Sequence, residues 1–246
     1  MKESISEAAD LIMKSEYLTA LTGAGISVES GIPPFRGENG LWSKYDPGLF
    51  EISYFVSNPE ESWELIKKLF YATFKNALPN AAHQVLAHLE QRGILKLLIT
   101  QNIDGLHHSA GSRSVIEYHG STRCLVCLHC NKKYERSEEK ITQPLPRCEC
   151  GGVLKPDIIF FGEEIPFQAI YGVQEAIENT DVMLVVGTTG EVFPASLIPV
   201  EAKRRGAKII EVNTQPSSFT YDTTDVFLQG SATKLLLALE KEMEKF

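Results

Sequence analysis

The sequence predicts an α/β fold built on a parallel sheet, with a smaller lobe inserted into it. Three observations carry that prediction. Short apolar, β-branched runs recur along the chain, each ending in Gly, Asn, Thr or His and most followed by a helical stretch, which is a βαβ rhythm. The runs are continuously apolar, as strands covered by helices on both faces are. Two stretches, 29–78 with its aromatics and turn residues and 120–155 with every cysteine, break the rhythm and read as insertions.

Strands are expected at 17–22, 95–100, 115–118, 157–161, 182–187, 208–212 and 226–228, and helices at 4–14, 59–74, 81–91, 167–177, 194–205 and 232–244. Residues 1–28, 79–119 and 156–246 then form the sheet domain, 29–78 a loop and helical module, and 120–155 a metal-binding module. Residues 1–14 place Ile5, Ala8, Ala9, Leu11 and Ile12 at helical spacing among Glu3, Glu7 and Asp10, which reads as a surface helix and lacks an apolar signal core.

Composition narrows the function. At 43% hydrophobic and 23% charged, the 246 residues have ordinary globular character. A net charge of -8 disfavours nucleic acid as a partner and suits a basic peptide. The longest apolar runs, 158–161 and 182–186, are too short to cross a bilayer. All five cysteines fall within 27 residues, and an odd number does not make a disulfide framework. A reducing, cytoplasmic compartment and a bound metal are the expectation.

Ligands of an open parallel sheet sit beyond the C-terminal strand ends, so the residues just past each run matter most. The first run leads into Gly23-Ala24-Gly25-Ile26-Ser27, where glycines let backbone approach a phosphate. Alone, that pattern equally describes a tight strand-to-helix turn, and its third position departs from G-x-G-x-x-G because Val28 stands there. The continuation through Pro33, Pro34, Phe35, Arg36 and Gly37 is a loop able to cover a ligand. The second run ends in Gln101-Asn102-Ile103-Asp104; helix capping would account for Asp104 but not for Gln101 and Asn102. The third ends at His119, set apart from the other five histidines by its place at a strand terminus.

Cys127-x2-Cys130 and Cys148-x-Cys150, separated by 17 residues, offer four thiolates to a tetrahedral structural zinc with no open position for water. Spacing alone leaves a rival register through Cys124 open.

Together these blocks resemble the sirtuins, NAD-dependent protein lysine deacylases, over almost the whole chain. The resemblance rests on Gly23 to Ser27, Glu29 to Pro33, Phe35-Arg36, Gln101 to Asp104, His119-Gly120 and the cysteine pairs. Phe161-Gly162-Glu163, Gly187-Thr188-Thr189, Val192-x-Pro194-Ala195, Val212-Asn213 and Gly230-x-Ala232 extend it. It implies a Rossmann-like sheet domain whose inserted small lobe comprises a zinc-binding and a helical module, with an acyl-lysine peptide bound between the lobes. It selects Cys127, Cys130, Cys148 and Cys150 as the zinc ligands. It implies that the acyl oxygen attacks the ribose carbon bearing nicotinamide, with His119 as general base on a ribose hydroxyl. Asn102 and Asp104 would line the nicotinamide pocket, Asp104 recognising the carboxamide, and Phe35 would shield the sugar from water. Gly23, Ala24, Gly25, Ser27, Arg36, Gln101, Ile103, Gly187, Thr188, Thr189, Asn213 and Ala232 complete the implied NAD site. Phe161, Gly162, Glu163, Glu191 and Val192 are the implied peptide site.

Departures bear on substrate. Pro34 stands where the family often has Thr, Thr189 where it often has Ser, and Glu191 adds an acid to the substrate loop. The Tyr-x-x-Arg pair that reads succinyl-type groups is replaced by Ile66 and Leu69, so a neutral acyl group, acetyl first, is expected. The competing readings are a mono-ADP-ribosyltransferase, a non-catalytic NAD or ADP-ribose sensor, and a zinc-ribbon nucleic-acid binder. Intact His119, Asn102 and Asp104 argue against the sensor, and the acidic balance against the last.

Overall fold

The computed structural model describes residues 2–37 and 40–246; Met1 of the expected surface helix and residues 38 and 39 of the first insertion lie outside it. The strands are β1 (Leu18–Thr22), β2 (Leu95–Thr100), β3 (Val115–Glu117), β4 (Gly120–Cys127), β5 (Lys133–Glu135), β6 (Leu154–Ile158), β7 (Val182–Val186), β8 (Lys208–Asn213) and β9 (Val226–Gln229). The helices are α1 (Lys2–Lys14), α2 (Ile52–Ser57), α3 (Pro59–Ile66), α4 (Ala72–Phe74), α5 (Ala81–Gln91), α6 (Leu106–Ser109), α7 (Glu138–Ile141), α8 (Phe167–Asn179), α9 (Leu197–Arg204) and α10 (Ala232–Met243).

Six strands form one parallel sheet in the order β3-β2-β1-β7-β8-β9. This is the doubly wound dinucleotide-binding order, whose direction reverses between β1 and β7 and opens a crevice beyond their C-terminal ends. Every residue of β1 and β7 is buried, as a central parallel pair demands. On one face Ala8, Ile12, Leu86, Leu89, Leu236 and Leu239 of α1, α5 and α10 close over Leu18, Leu98 and Leu184. On the other, Val173, Ile177, Ile198 and Ala202 of α8 and α9 cover Leu21, Met183 and Ile209.

One expected strand belongs elsewhere. The run placed at 157–161 is only partly extended; β6 begins earlier and pairs antiparallel with β4 in a three-stranded sheet ordered β5-β4-β6. Its Pro156 is tolerated because β6 is an edge strand of that sheet. The helix expected over 59–74 continues through a π turn at Lys67–Tyr71, which buries the consecutive side chains of Leu69, Phe70 and Tyr71. Helical and cysteine-bearing insertions share one core: Phe55, Trp63, Ile66 and Phe70 pack with Leu125, Leu154 and Phe160, and the Trp63 indole donates to Leu154 O at 2.8 Å. None of the described helices is long and apolar enough to cross a membrane.

Candidate active site

The crevice between β1 and β7 deepens into a cavity of about 660 Å³, within the size range of small-molecule sites. Gly23, Ala24 and Gly25 after β1, Gln101, Asn102 and Ile103 after β2, and Gly187, Thr188 and Thr189 after β7 line it. Asn213 at the end of β8, Ala232 at the start of α10, Phe35 and Arg36 from the loop after the glycine turn, and His119 also line it. Phe161, Gly162, Glu163 and Val192 form the outer wall.

The glycines at the crossover answer a tighter constraint than the one inferred from sequence. A Cβ on Gly23 would lie 2.8 Å from Gly187 O, one on Gly25 2.7 Å from Gly187 Cα, and one on Gly187 2.5 Å from Ile26 N. The loops after β1 and β7 therefore touch backbone to backbone. The Gly23 and Gly25 amides donate to Val186 O and Gly187 O, so neither is directed at a ligand.

His119 is fixed by its Nδ1, 3.1 Å from the carbonyl oxygen of Gln101. A carbonyl only accepts, so Nδ1 carries the proton and Nε2 is left as a basic lone pair. Burial lowers the imidazole pKa below the usual histidine value, partly opposed by that hydrogen bond, and keeps the ring neutral. Gln101 is itself held by donating to Thr188 Oγ1 at 3.0 Å, and Asn213 donates to Thr188 O at 2.8 Å. The ends of β2, β7 and β8 are thus tied together beneath the cavity.

Three residues expected at the ligand do not form the cavity wall: Ser27, Asp104 and Glu191. Ser27 is fully buried and donates to Asp104 Oδ2 at 2.7 Å, because the 3₁₀ turn after β1 rotates its hydroxyl away from the crevice. Asp104 also accepts the Leu106 amide at 2.9 Å; burial pushes its carboxyl up, against the pull of these two bonds. Asn102 donates to Gly23 O at 3.1 Å and to Ser27 Oγ at 3.2 Å, so Asp104 reaches the cavity through Ser27 and Asn102. Glu191 instead faces Arg36, 3.5 Å away. Sequence reasoning missed Trp42, Phe50 and Phe70, an aromatic wall within the first insertion, and Thr214, Gln215, Pro216 and Ser231. The last four lie just past β8 and β9, where the strand-end rule could have found them.

Cys127, Cys130, Cys148 and Cys150 bring their sulfurs within 4.8 Å of one another, with separations of 3.5 and 3.6 Å along three edges. Four sulfurs about 2.3 Å from one tetrahedral zinc would stand roughly 3.8 Å apart, so the set fits that ion. The His129 amide points at Cys127 Sγ and the Tyr134 hydroxyl lies 3.1 Å from Cys148 Sγ, contacts that support thiolates. Cys124 lies outside the cluster, opposite Glu135 on β5.

A dinucleotide-type crevice, a fixed neutral histidine and a four-thiolate zinc site place the protein among NAD-handling α/β enzymes with a structural metal lobe. The Sir2 family model matches residues 23–194, and the chain belongs to that family. NAD-dependent protein deacetylase 1 of Pyrobaculum aerophilum is 43% identical, the match covering 95% of this chain and 92% of the relative. NAD-dependent protein deacylase 1 of Archaeoglobus fulgidus is also 43% identical, over 95% and 96%. A solved Sir2 homolog–NAD complex superposes with a TM-score of 0.90 at 42% identity, covering 97% of this chain and 93% of that one. A Sir2 complex with a p53 peptide and NAD+ gives 0.89 at 35% identity, covering 98% of both.

Proposed function

We propose that this protein is an NAD-dependent protein lysine deacylase with His119 as general base. The observation that carries the reading is the anchored tautomer of His119, which presents an unprotonated Nε2 in a cavity shared by the glycine crossover and the outer peptide wall. Bound NAD supplies an electrophilic ribose carbon and nicotinamide as leaving group. The chain's own residues position and deprotonate. Phe35, packed edge-on to Phe70 at 6.3 Å, excludes water from the reacting end. Asn102, held by Gly23 O and Ser27 Oγ, borders the nicotinamide end, and Asp104 fixes it from behind. Asn213, Thr188 and Ala232 hold the dinucleotide's far end, and the acyl-lysine enters past Phe161 and Val192.

Ile66 and Leu69 are buried in the small-lobe core and present no charge to an acyl group, which favours neutral acyl chains. The zinc ligands require reduced cysteines, in keeping with a cytoplasmic setting, and the net charge of -8 suits a basic peptide over nucleic acid. The test is mass spectrometry of an acetyl-lysine peptide incubated with the protein, with and without NAD, while free nicotinamide is followed. Acetyl loss that requires NAD and tracks nicotinamide supports the reading. NAD cleavage that leaves the peptide acetylated and ADP-ribose on protein would favour the transferase.

A further inference from the structure

Six large apolar side chains are left exposed on the two stretches that lead away from the cleft wall: Phe161, Phe167, Ile170 and Tyr171 on 161–171, and Phe193 and Leu197 on 193–197. Phe161 and Phe193 line the cavity itself, from the segments after β6 and β7. Phe167 and Tyr171 stand one turn apart on α8 with rings stacked at 6.3 Å.

The two stretches lead into α8 and α9. The inner faces of α8 and α9 share a core, and Glu178 near the end of α8 lies 3.7 Å from Arg205 just past α9. The C-terminal ends of the two helices therefore lie side by side, and Phe193 stands four residues before α9 begins. Ile165, two residues before Phe167, is already cavity wall. Further along α8 the outward positions turn polar, at Gln174, Glu175 and Glu178, so the apolar strip ends where the cleft's influence ends.

Exposures of 77% for Phe167, 61% for Tyr171 and 73% for Phe193 mark an interaction surface and not ordinary scattered apolar residues. We propose that this strip docks the residues flanking the acyl-lysine, and that the substrate carries two bulky apolar side chains spaced i, i+2 beside its acylated lysine. The proposal rests on the deacylase reading. Same-face side chains of an extended peptide repeat at about 6.6 Å, close to the Phe167–Tyr171 spacing. The strip is continuous with the cleft, so one extended chain can occupy both. A second copy of the protein is the poorer occupant, because a stable self-interface uses roughly 20–30 residues a side. Exposed Glu164 at the strip's edge favours a peptide whose other side chains are basic.

The test compares two basic acetyl-lysine peptides that differ in one pair, Leu-x-Phe or Ser-x-Ser, placed before and then after the lysine. Wild type and a Phe167→Ser, Tyr171→Ser variant are assayed, and peptide binding is measured directly by fluorescence anisotropy. Wild type should show a KM and Kd about tenfold lower for the apolar peptide in one placement, at similar kcat. The variant should lose that preference while keeping its KM for NAD and its turnover of the serine peptide. Equal Kd for both peptides in both placements overturns the proposal, as does a preference that survives in the variant. A wild-type dimer in sedimentation that the variant dissolves also overturns it, because the strip is then a self-interface. A binding preference without NAD-dependent deacylation upholds the surface and overturns the deacylase reading instead.

Discussion

Lys155 and Glu163 form a partly buried ion pair at the root of the cleft wall: the lysine side chain, 5% exposed, brings its ammonium to 2.9 Å from Glu163 Oε2. It also donates to the carbonyls of Ile158 at 2.7 Å and Pro156 at 3.3 Å, and the same carboxylate oxygen accepts the Phe160 amide at 2.8 Å. Lys155 belongs to β6, so the pair ties the small sheet to the segment that carries Phe161. Burial lowers the lysine pKa, and Glu163 is the chief opposing influence. Lys155→Met would leave a partly buried carboxylate uncompensated and should lower unfolding stability by about 3–5 kcal/mol. Urea unfolding checks this, and the Lys155→Met, Glu163→Gln double variant should lose less than the two singles combined. A loss below about 1 kcal/mol for Lys155→Met would show that the pair does not hold the wall.

His119→Ala should reduce kcat by roughly 10²- to 10⁴-fold, the usual worth of a positioned base, with NAD affinity by calorimetry little changed. The pH profile is a second readout. Because burial holds the His119 pKa below its ordinary value of 6.5, the base stays unprotonated through neutrality and loses competence only as pH falls beneath that value. The acid limb of kcat/KM in wild type should therefore have its midpoint below pH 6.5, and a midpoint above it would contradict the assignment.

His83 gives a pH dependence of stability instead of rate. It is fully buried, with Nδ1 facing the Asn80 amide at 3.3 Å and Nε2 3.4 Å from Ser27 Oγ, and burial lowers its pKa from 6.5 to about 4. The folded state keeps His83 neutral where the unfolded chain would be protonated. Stability is thus retained above pH 6.5 and declines toward about pH 4. The shift corresponds to about 3 kcal/mol. Comparing wild type with His83→Gln by denaturant titration across that window should show a shallower slope for the variant. Identical slopes would mean that His83 is protonated in the folded state.

Zinc removal should loosen the small lobe first. Cys127 ends β4 opposite Leu154 of β6, and Cys127 and Cys148 are buried in the core that also holds Trp63 and Phe160. Metal analysis should give one zinc per chain, and chelation should lower Tm and quench or shift Trp63 fluorescence. Unchanged Tm and emission after demonstrated zinc loss would show that the cluster does not support this core.

Legibility in the sequence followed locality. The apolar runs of β1, β2 and β7 and the spacing of the four cysteines are properties of neighbouring residues, and both were readable. Which partner a strand takes is not local: Ile158 and Phe160 have the composition of a parallel-sheet strand, yet β6 runs antiparallel to β4. β4 itself was hidden because its register shifts between Ser121 and Leu125, which breaks any periodic signal. Most strand-end motif residues line the cavity, but the 3₁₀ turn after β1 carries Ser27 into contact with Asp104, whose other carboxylate oxygen accepts the Leu106 amide. The pairing of Glu191 with Arg36 spans two loops far apart in sequence, so no local pattern announces it.

The central strand also bears on how the chain reaches its native state. β1 is flanked by β2 and by β7, so residues 18–22 must find partners at 95–100 and 182–186. The switch-point crevice therefore cannot exist until most of the polypeptide is available. Closing loops of that length before the pairing contributes anything makes assembly slow relative to a locally wired fold. During synthesis β1 emerges as an apolar strand with neither neighbour present, a period in which α1, with its acidic and basic outer face, is its nearest source of cover.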